Sequence, residues 1–170
     1  ERRADSFHRQ NFESCIGEIF GENVVHILRE VGRTDKFFDA EGAQRVPGLA
    51  VTPSFFPLLR ARPYLGRTFL TEEGEVGQNA RVVLSYGFWR RQFGGDTAII
   101  GKEIRVDGTP GRVVGVLAPD FRYLWNDVEI FYPMAFTPGM KSDEFRHSNN
   151  WVNIARLKPG ATLEQAQQQI

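Results

Sequence analysis

The chain is poor in the residues that most often carry chemistry. It has one cysteine and three histidines, and its 21 lysines and arginines balance 21 aspartates and glutamates. Each shortage excludes something. With Cys15 alone, no disulfide can form within the chain. A cytoplasm and a periplasm without need of a staple both stay open. A packed side chain is the simplest role for Cys15, because a reactive thiol needs a nearby base and none can be identified. A net charge of zero speaks against a dedicated nucleic-acid binder, whose footprint is basic. His8, His26 and His147 show no HxxxH or CxxC-type spacing, so no metal site is expected. No apolar run approaches the roughly 20 residues of a membrane span. The charge-free stretch Ile130–Met140 contains Pro133, Pro138 and Gly139. Residues 1–12 are charged and lack an apolar h-region, so no signal peptide is expected.

What is present is an ordinary globular composition. The 170 residues are 41% hydrophobic and 25% charged, which suits one good core or two small lobes sharing one. The chain opens abruptly at Glu1 and stops inside the helix-forming run "LEQAQQQI" with no stop signal. It is expected to be a domain cut from something longer.

Local patterns place the elements. Phe12, Ile16 and Ile19 or Phe20 recur at helical spacing, and Gly21 would end that helix. Val24–Val31 reads as a strand, Asp35–Gly42 as a charged turn, and Arg45–Val51 as a second strand. "TPSFF" opens a helix with Thr52 as N-cap and Pro53 in the first helical position, ending near Arg60. Residues 61–80 read as loop. Val82–Leu84 is a short buried strand, followed by a helix capped by Ser85 and ended at Gly94 or Gly95. Asp96 can cap a further short helix through Ile100. "EIRVDGTPGRVVGVLAP" holds two strand-like runs joined by Asp107-Gly108, a hairpin signature, with Pro110 at an edge or in the turn. Val128–Tyr132 and Trp151–Leu157 read as strands, and Thr162 with Gln165 forms a capping box for a last helix.

No catalytic constellation emerges. Ser85 follows a strand and opens a helix, but "VLSYG" is not GxSxG, and an N-cap explains the position more simply. Asp120, Asp127 and Glu129 invite a paired-carboxylate hydrolase reading, whose geometry cannot be read from sequence. "FGGD" and "GEVG" lack phosphate-loop spacing, so no nucleotide site is expected. In "LSYGFWRRQFGGD", Tyr86, Trp89 and Phe93 form one stripe at i, i+3 and i+7, which buries them. Arg90 and Arg91 fall off that stripe toward water. Nucleic-acid stacking would need exposed rings beside the arginines. A solvated basic face or a contact to a protein partner remains for Arg90 and Arg91.

"VTPSFFPLLRARPYLGRTFLTEEG" followed by "RVVLSYGFWRRQFGGDTAIIGKEIRVDGTPGRVVGVLAPDF" resembles the periplasmic core domain of MacB-like ABC transporter permeases, the MacB/FtsX type. The resemblance runs from about Arg45 to Phe121, continues more weakly through "WVNIARLKPGATLEQAQQQI", and is least over the first ~40 residues. The Thr-Pro-x-Phe-Phe opening, Leu65-Gly66-Arg67, the helix with its double glycine, Ile100-Gly101, the Asp-Gly hairpin and Val114-Gly115-Val116 carry it together.

The resemblance implies an α+β fold with two lobes. Residues 1–60 and 149–170 would form a porter-like α/β lobe, possibly incomplete, and 61–148 an inserted β-rich, Sabre-like lobe. It further implies a non-catalytic domain, without cofactor or metal, on the periplasmic side of the bacterial inner membrane. Its partners would be the transmembrane helices of its own chain, a cytoplasmic ATPase acting indirectly, and a periplasmic adaptor. The domain alone would be monomeric. An apolar span of about 20 residues is expected upstream of Glu1, and more spans beyond Ile170. The preferred function is mechanical coupling of ATP-driven helix motion to substrate export or partner regulation. In that function Arg90 and Arg91 would either face solvent or touch a neighbouring domain during the stroke; the alternative is a solute- or lipoprotein-binding module, in which Trp125, Phe131, Phe136 and Trp151 would line the site. The carboxylate-dependent hydrolase is the remote third.

Overall fold

Arg45–Val51, which reads as one strand, is two. Pro47 divides it into β3 (Gly42–Val46) and β4 (Gly48–Val51). Proline has no N–H to give to a ladder, so pairing cannot run straight through it. Its carbonyl is used instead: it accepts from the Glu129 N–H at 2.8 Å and the Ile130 N–H at 3.3 Å. The two halves serve different neighbours. β3 pairs with β2 (Asp35–Asp39), whereas β4 pairs with β1 (Val24–Leu28) and β9 (Ile130–Pro133). This computed structural model describes residues 24–28, 35–39, 42–123, 127–141 and 151–168.

The remaining strands are β5 (Pro63–Gly66), β6 (Arg81–Leu84), β7 (Glu103–Val106), β8 (Thr109–Leu117) and β10 (Trp151–Ala155). The described strands form one mixed sheet in the order β10-β1-β4-β9-β6-β8-β7-β2-β3, with β5 added on β8. β4 and β3 are six strand spacings apart in that order. A flat sheet would hold them about 29 Å apart, yet the chain joins them through one residue, which spans less than about 8 Å. The sheet therefore curls until its β2–β3 end meets β4 and β9. A polar latch holds the meeting point: the Tyr132 hydroxyl on β9 donates to Asp35 Oδ2 on β2 at 2.9 Å. Asp35 is only 1% exposed. Gly48 leaves the room, since a Cβ there would run into Asp35 Oδ2 and the Tyr132 ring.

Both faces of the sheet's centre are buried. On one, Leu49, Val51, Val83, Val114, Leu117 and Phe131 meet Phe55, Phe56 and Leu58 of α1 (Phe55–Leu59). On the other, Val82, Leu84, Val113, Val116 and Ile130 meet Phe88 and Trp89 of α2 (Tyr86–Phe93). Burial on both faces explains why Val82–Leu84 is continuously apolar rather than alternating. A register shift between Val82 and Val83, opposite Val113 and Gly115, marks a bulge that lets Val113 and Val116 share one face. This is the expected α+β mixture, with strands from 24–51 and 151–155 in the same sheet as strands from 63–133.

Most short-range expectations hold. Asp107 and Gly108 have φ of 49° and 76° and close the β7–β8 hairpin. Pro110 precedes Arg112, where β6 pairing begins, so its missing donor is not needed on that side. Ser85 Oγ accepts from the Phe88 N–H at 3.2 Å, Gly94 ends α2 at φ 59°, and Asp96 Oδ1 accepts from the Ala98 N–H at 2.8 Å. Thr162 and Gln165 bond reciprocally at 2.9 and 3.2 Å, opening α3 (Leu163–Gln167). Three expectations change. Asp35–Asp39 is strand, not turn, because Phe37 is buried against Phe88 with ring centroids 5.2 Å apart. α1 begins two residues later than its proline implies. Thr52–Phe55 forms a turn instead, with the Phe55 N–H on Thr52 O at 2.9 Å, and Ser54 is the N-cap. Residues 61–80 hold β5 and a 3-10 turn at Thr71–Gly74. The helix expected within 6–20 lies outside the described residues.

That 3-10 turn carries a buried carboxylate. Glu73 is 4% exposed, and Arg67 grips both its oxygens at 2.7 and 2.9 Å. Arg81 Nε lies 3.2 Å away, and the Leu70 N–H donates at 2.9 Å. Burial pushes the Glu73 pKa up. The Arg67 and Leu70 hydrogen bonds and the two guanidinium charges outweigh it and hold the carboxyl below its ordinary range.

Two predictions follow from these contacts. Tyr132→Phe removes the latch donor and is expected to cost about 1–3 kcal/mol in denaturant unfolding; Gly48→Ala, which displaces Asp35 itself, is expected to cost more. For Glu73, the depressed pKa means its contribution is complete above the unfolded value of about 4.3 and is lost as pH falls through the folded value. Melting temperature of the wild type should thus drop more steeply below about pH 4.3 than that of Glu73→Gln, a difference visible in a pH series of thermal scans.

Candidate functional site

A depression lies between the start of α2 and the chain leading into β9. It encloses about 630 Å³. Ser85, Tyr86, Gly87, Phe88 and Arg91 form one wall, Leu117–Pro119 and Phe121–Tyr123 with Asp127–Glu129 the other, and Phe131 lines it as well. The walls are tied together at the backbone. The Ser85 N–H donates to Glu129 O at 2.9 Å, while the Glu129 N–H reaches Pro47 O. Above that tie, Arg91 Nη2 ion-pairs with Glu129 Oε1. The Arg91 guanidinium also sits 5.8 Å from the Phe88 ring centroid. Deeper, the Tyr123 ring stands edge-on to Phe55 at 4.9 Å, and burial pushes its phenol pKa up to about 12.

The groups singled out from the sequence disperse. Arg90 turns away from Arg91 and lies across Gly95. Both sit in the last turn of α2, where a cation is favoured by the helix dipole. Phe131 is 2% exposed, packed between Phe55 and Phe56, and contributes only the groove's floor. Phe136 lines a different depression, beside Thr52, Pro53, Phe69 and Met134. Trp151 opens the edge strand β10, and Trp125 lies outside the described residues. The aromatic stripe of α2 is rotated by one residue. Phe88 and Trp89 are buried, while Tyr86 and Phe93 are half-buried. Tyr64, 52% exposed, covers Tyr86 and Trp89 at 5.2 and 5.6 Å.

The Ser85 hydroxyl and the Glu129 carboxylate in the groove serve the structure. The Ser85 hydroxyl serves the Phe88 amide as cap acceptor. Glu129 is held by Arg91, and Asp120 and Asp127 are exposed. No group of three or more His, Cys, Asp or Glu placed to hold a metal occurs among the described residues. No helix of the described residues is long and apolar enough to cross a membrane. Sequence reading missed Asp35, Glu73 and the partner of Arg91. Glu73 looks the same in "TEEG" as its exposed neighbour Glu72, and Glu129 is 38 residues from Arg91.

A curled mixed sheet of this kind is found in domains that ABC transporters carry outside the membrane. The chain superposes on the periplasmic region of MacB from Actinobacillus actinomycetemcomitans with TM-score 0.61 at 11% identity, covering 88% of this chain and 81% of that one. On the extracellular domain of the noncanonic ABC-type transporter YknZ from Gram-positive bacteria it scores 0.64 at 15% identity, covering 94% and 76%. On a domain of a putative permease from Porphyromonas gingivalis it scores 0.64 at 16%, covering 91% and 70%. These are likenesses of fold. The family is shown by sequence: residues 11–170 match the model of the MacB-like periplasmic core domain, and the chain belongs to that family, the extracytoplasmic domains of ABC transporter permeases. No curated protein matches the chain.

Because the cap and the ion pair differ in burial, they should differ in cost. Ser85→Ala is expected to destabilise by about 1 kcal/mol. Arg91→Ala, removing a half-exposed pair, should cost about 0.5 kcal/mol and less in high salt. Urea unfolding at low and high sodium chloride checks both.

Proposed function

We propose that this domain is the extracytoplasmic coupling element of a MacB-like permease. It passes the movement of its own chain's transmembrane helices, driven by a cytoplasmic ATPase, to exported substrate or to a periplasmic adaptor, and catalyses nothing itself. The observation that carries this reading is the closure of the sheet through Pro47. A lever must move without deforming. Here the latch at Asp35 and Tyr132, the clamp at Arg67 and Glu73, and cores on both faces make the described sheet one packed body. The porter-like portion, 1–60 with 149–170, and the inserted portion, 61–148, would then move together rather than hinge on each other. Pairing in this reading is made in the membrane, and the isolated domain is expected to be monomeric.

The groove of about 630 Å³ supports a second reading, a solute- or lipoprotein-binding module. That reading uses Arg91 and the Phe131 floor. Phe136 lies outside the groove.

Spin labels distinguish the two. Gly87→Cys and Glu103→Cys place labels at exposed positions of the full-length permease. Under the coupling reading, the distance between them stays constant to about 1 Å between nucleotide-free and ATP-trapped states, while distances from either label to the membrane-spanning part change. Equal changes within and outside the domain would sink the lever. A ligand-dependent melting shift that Arg91→Ala abolishes would favour the binding module.

A further inference from the structure

Beyond Ala118, Phe121 and Arg122, which it shares with the groove, lies a second cleft of about 380 Å³. Arg60 and Arg62 line it on the α1 side, Asp120 and Arg122 on the side that follows β8. All four are exposed. In a chain with 21 charges of each sign, this puts three guanidinium groups against one carboxylate. Arg122 is fixed at the wall, because its Nη1 donates to Pro119 O and Phe121 O, both at 2.9 Å. Arg60 and Arg62 have no side-chain hydrogen bond or ion pair among the described residues. Outside the cleft, Arg156 Nε donates to Leu58 O at 3.2 Å, covering a carbonyl near the C-terminal end of α1.

Arg60 also occupies an unfavourable backbone position. Its φ and ψ are 55° and 30°. The Arg60 N–H on Pro57 O at 3.0 Å and the Ala61 N–H on Phe56 O at 2.9 Å close α1 in the Schellman pattern, whose left-handed residue is usually glycine. An arginine there is less stable than a glycine. Helix termination therefore does not explain the side chain, and the cleft it lines does.

We propose that this cleft binds a phosphate monoester. Guanidinium forks match phosphate oxygens in pairs. Three such groups against one carboxylate leave a local charge near +2, which meets the −1.5 to −2 of a monoester; a single carboxylate ligand would need only one arginine. The volume suits a headgroup or small phosphate, not a folded partner. Asp120 offers an acceptor for a hydroxyl next to the phosphate. The inference does not depend on the transport reading.

The test follows melting in inorganic phosphate against sodium chloride of equal ionic strength, and co-sedimentation with phosphatidylcholine vesicles with and without phosphatidic acid. Phosphate in tenfold excess over its dissociation constant is expected to raise the melting temperature by about 4 °C over chloride. Arg60→Gly should melt higher than wild type in chloride yet lose most of the phosphate shift, so the loss cannot be read as unfolding. In the vesicle arm each arginine removed is expected to weaken retention about fivefold, and Arg60→Gly/Arg62→Ala/Arg122→Ala about a hundredfold. A phosphate shift without retention identifies a soluble phosphate as the ligand. A shift with retention identifies a lipid headgroup. The proposal is overturned by no phosphate-specific shift, by a triple variant that behaves as wild type, or by polyglutamate binding as well as phosphate does.

Discussion

Everything in the described sheet depends on one covalent constraint. Val46 and Gly48 are two residues apart, and the strands they belong to stand at positions that a flat sheet would hold about 29 Å apart. The only solution is a sheet that curls. Curling in turn encloses one face, so Phe37, Val46, Ile104 and Val106 can share a core with residues of β6, β8 and α2. It also brings Asp35 to Tyr132 and makes Gly48 necessary between them. Pro47 is suited to the junction for what it lacks: no donor is lost where the two halves change neighbours, and its carbonyl collects the chain entering β9.

The candidate site inherits its geometry from that junction. The residue whose N–H reaches Pro47 O is Glu129, and its own carbonyl holds the start of α2. α2, the groove and the Arg91–Glu129 pair are therefore positioned by the same turn of chain that closes the sheet. The proposed coupling through such a body would be mechanical in the plain sense. A displacement applied at one strand is shared by the rest because no described strand is packed independently of the others.

What could be read from the sequence was what is settled within a few residues. Ser85, Asp96, the Asp107-Gly108 turn and the Thr162–Gln165 box each act on a neighbour at most three positions away, and each is where it was expected. The motifs that resemble the permease family lie in the same stretches, and the family assignment holds. What could not be read depends on distance along the chain. Asp35 meets Tyr132 across 97 residues and Arg91 meets Glu129 across 38. β2 was hidden because its buried Phe37 stands among Asp35, Lys36 and Asp39, which give the segment the look of a turn. For the candidate site, the helix that presents Arg90 and Arg91 was legible, but their divergence was not, since it depends on Glu129 and Gly95.

The pairing of β1 with β10 has a consequence for how the molecule comes into being. Val24 is opposite Ala155, so the first described strand waits for the last before it has neighbours on both sides. Long-range pairing of this kind is slow, because the intervening loop must be ordered before the contact stabilises anything. A chain emerging from its amino end can form the Asp107-Gly108 hairpin early, but it cannot complete the sheet until residues 151–155 have been delivered. Until then the outer edge of β1 stays open to other chains. Under the proposed permease reading, transmembrane helices that tether the domain's ends would shorten that search and hold competing edges apart.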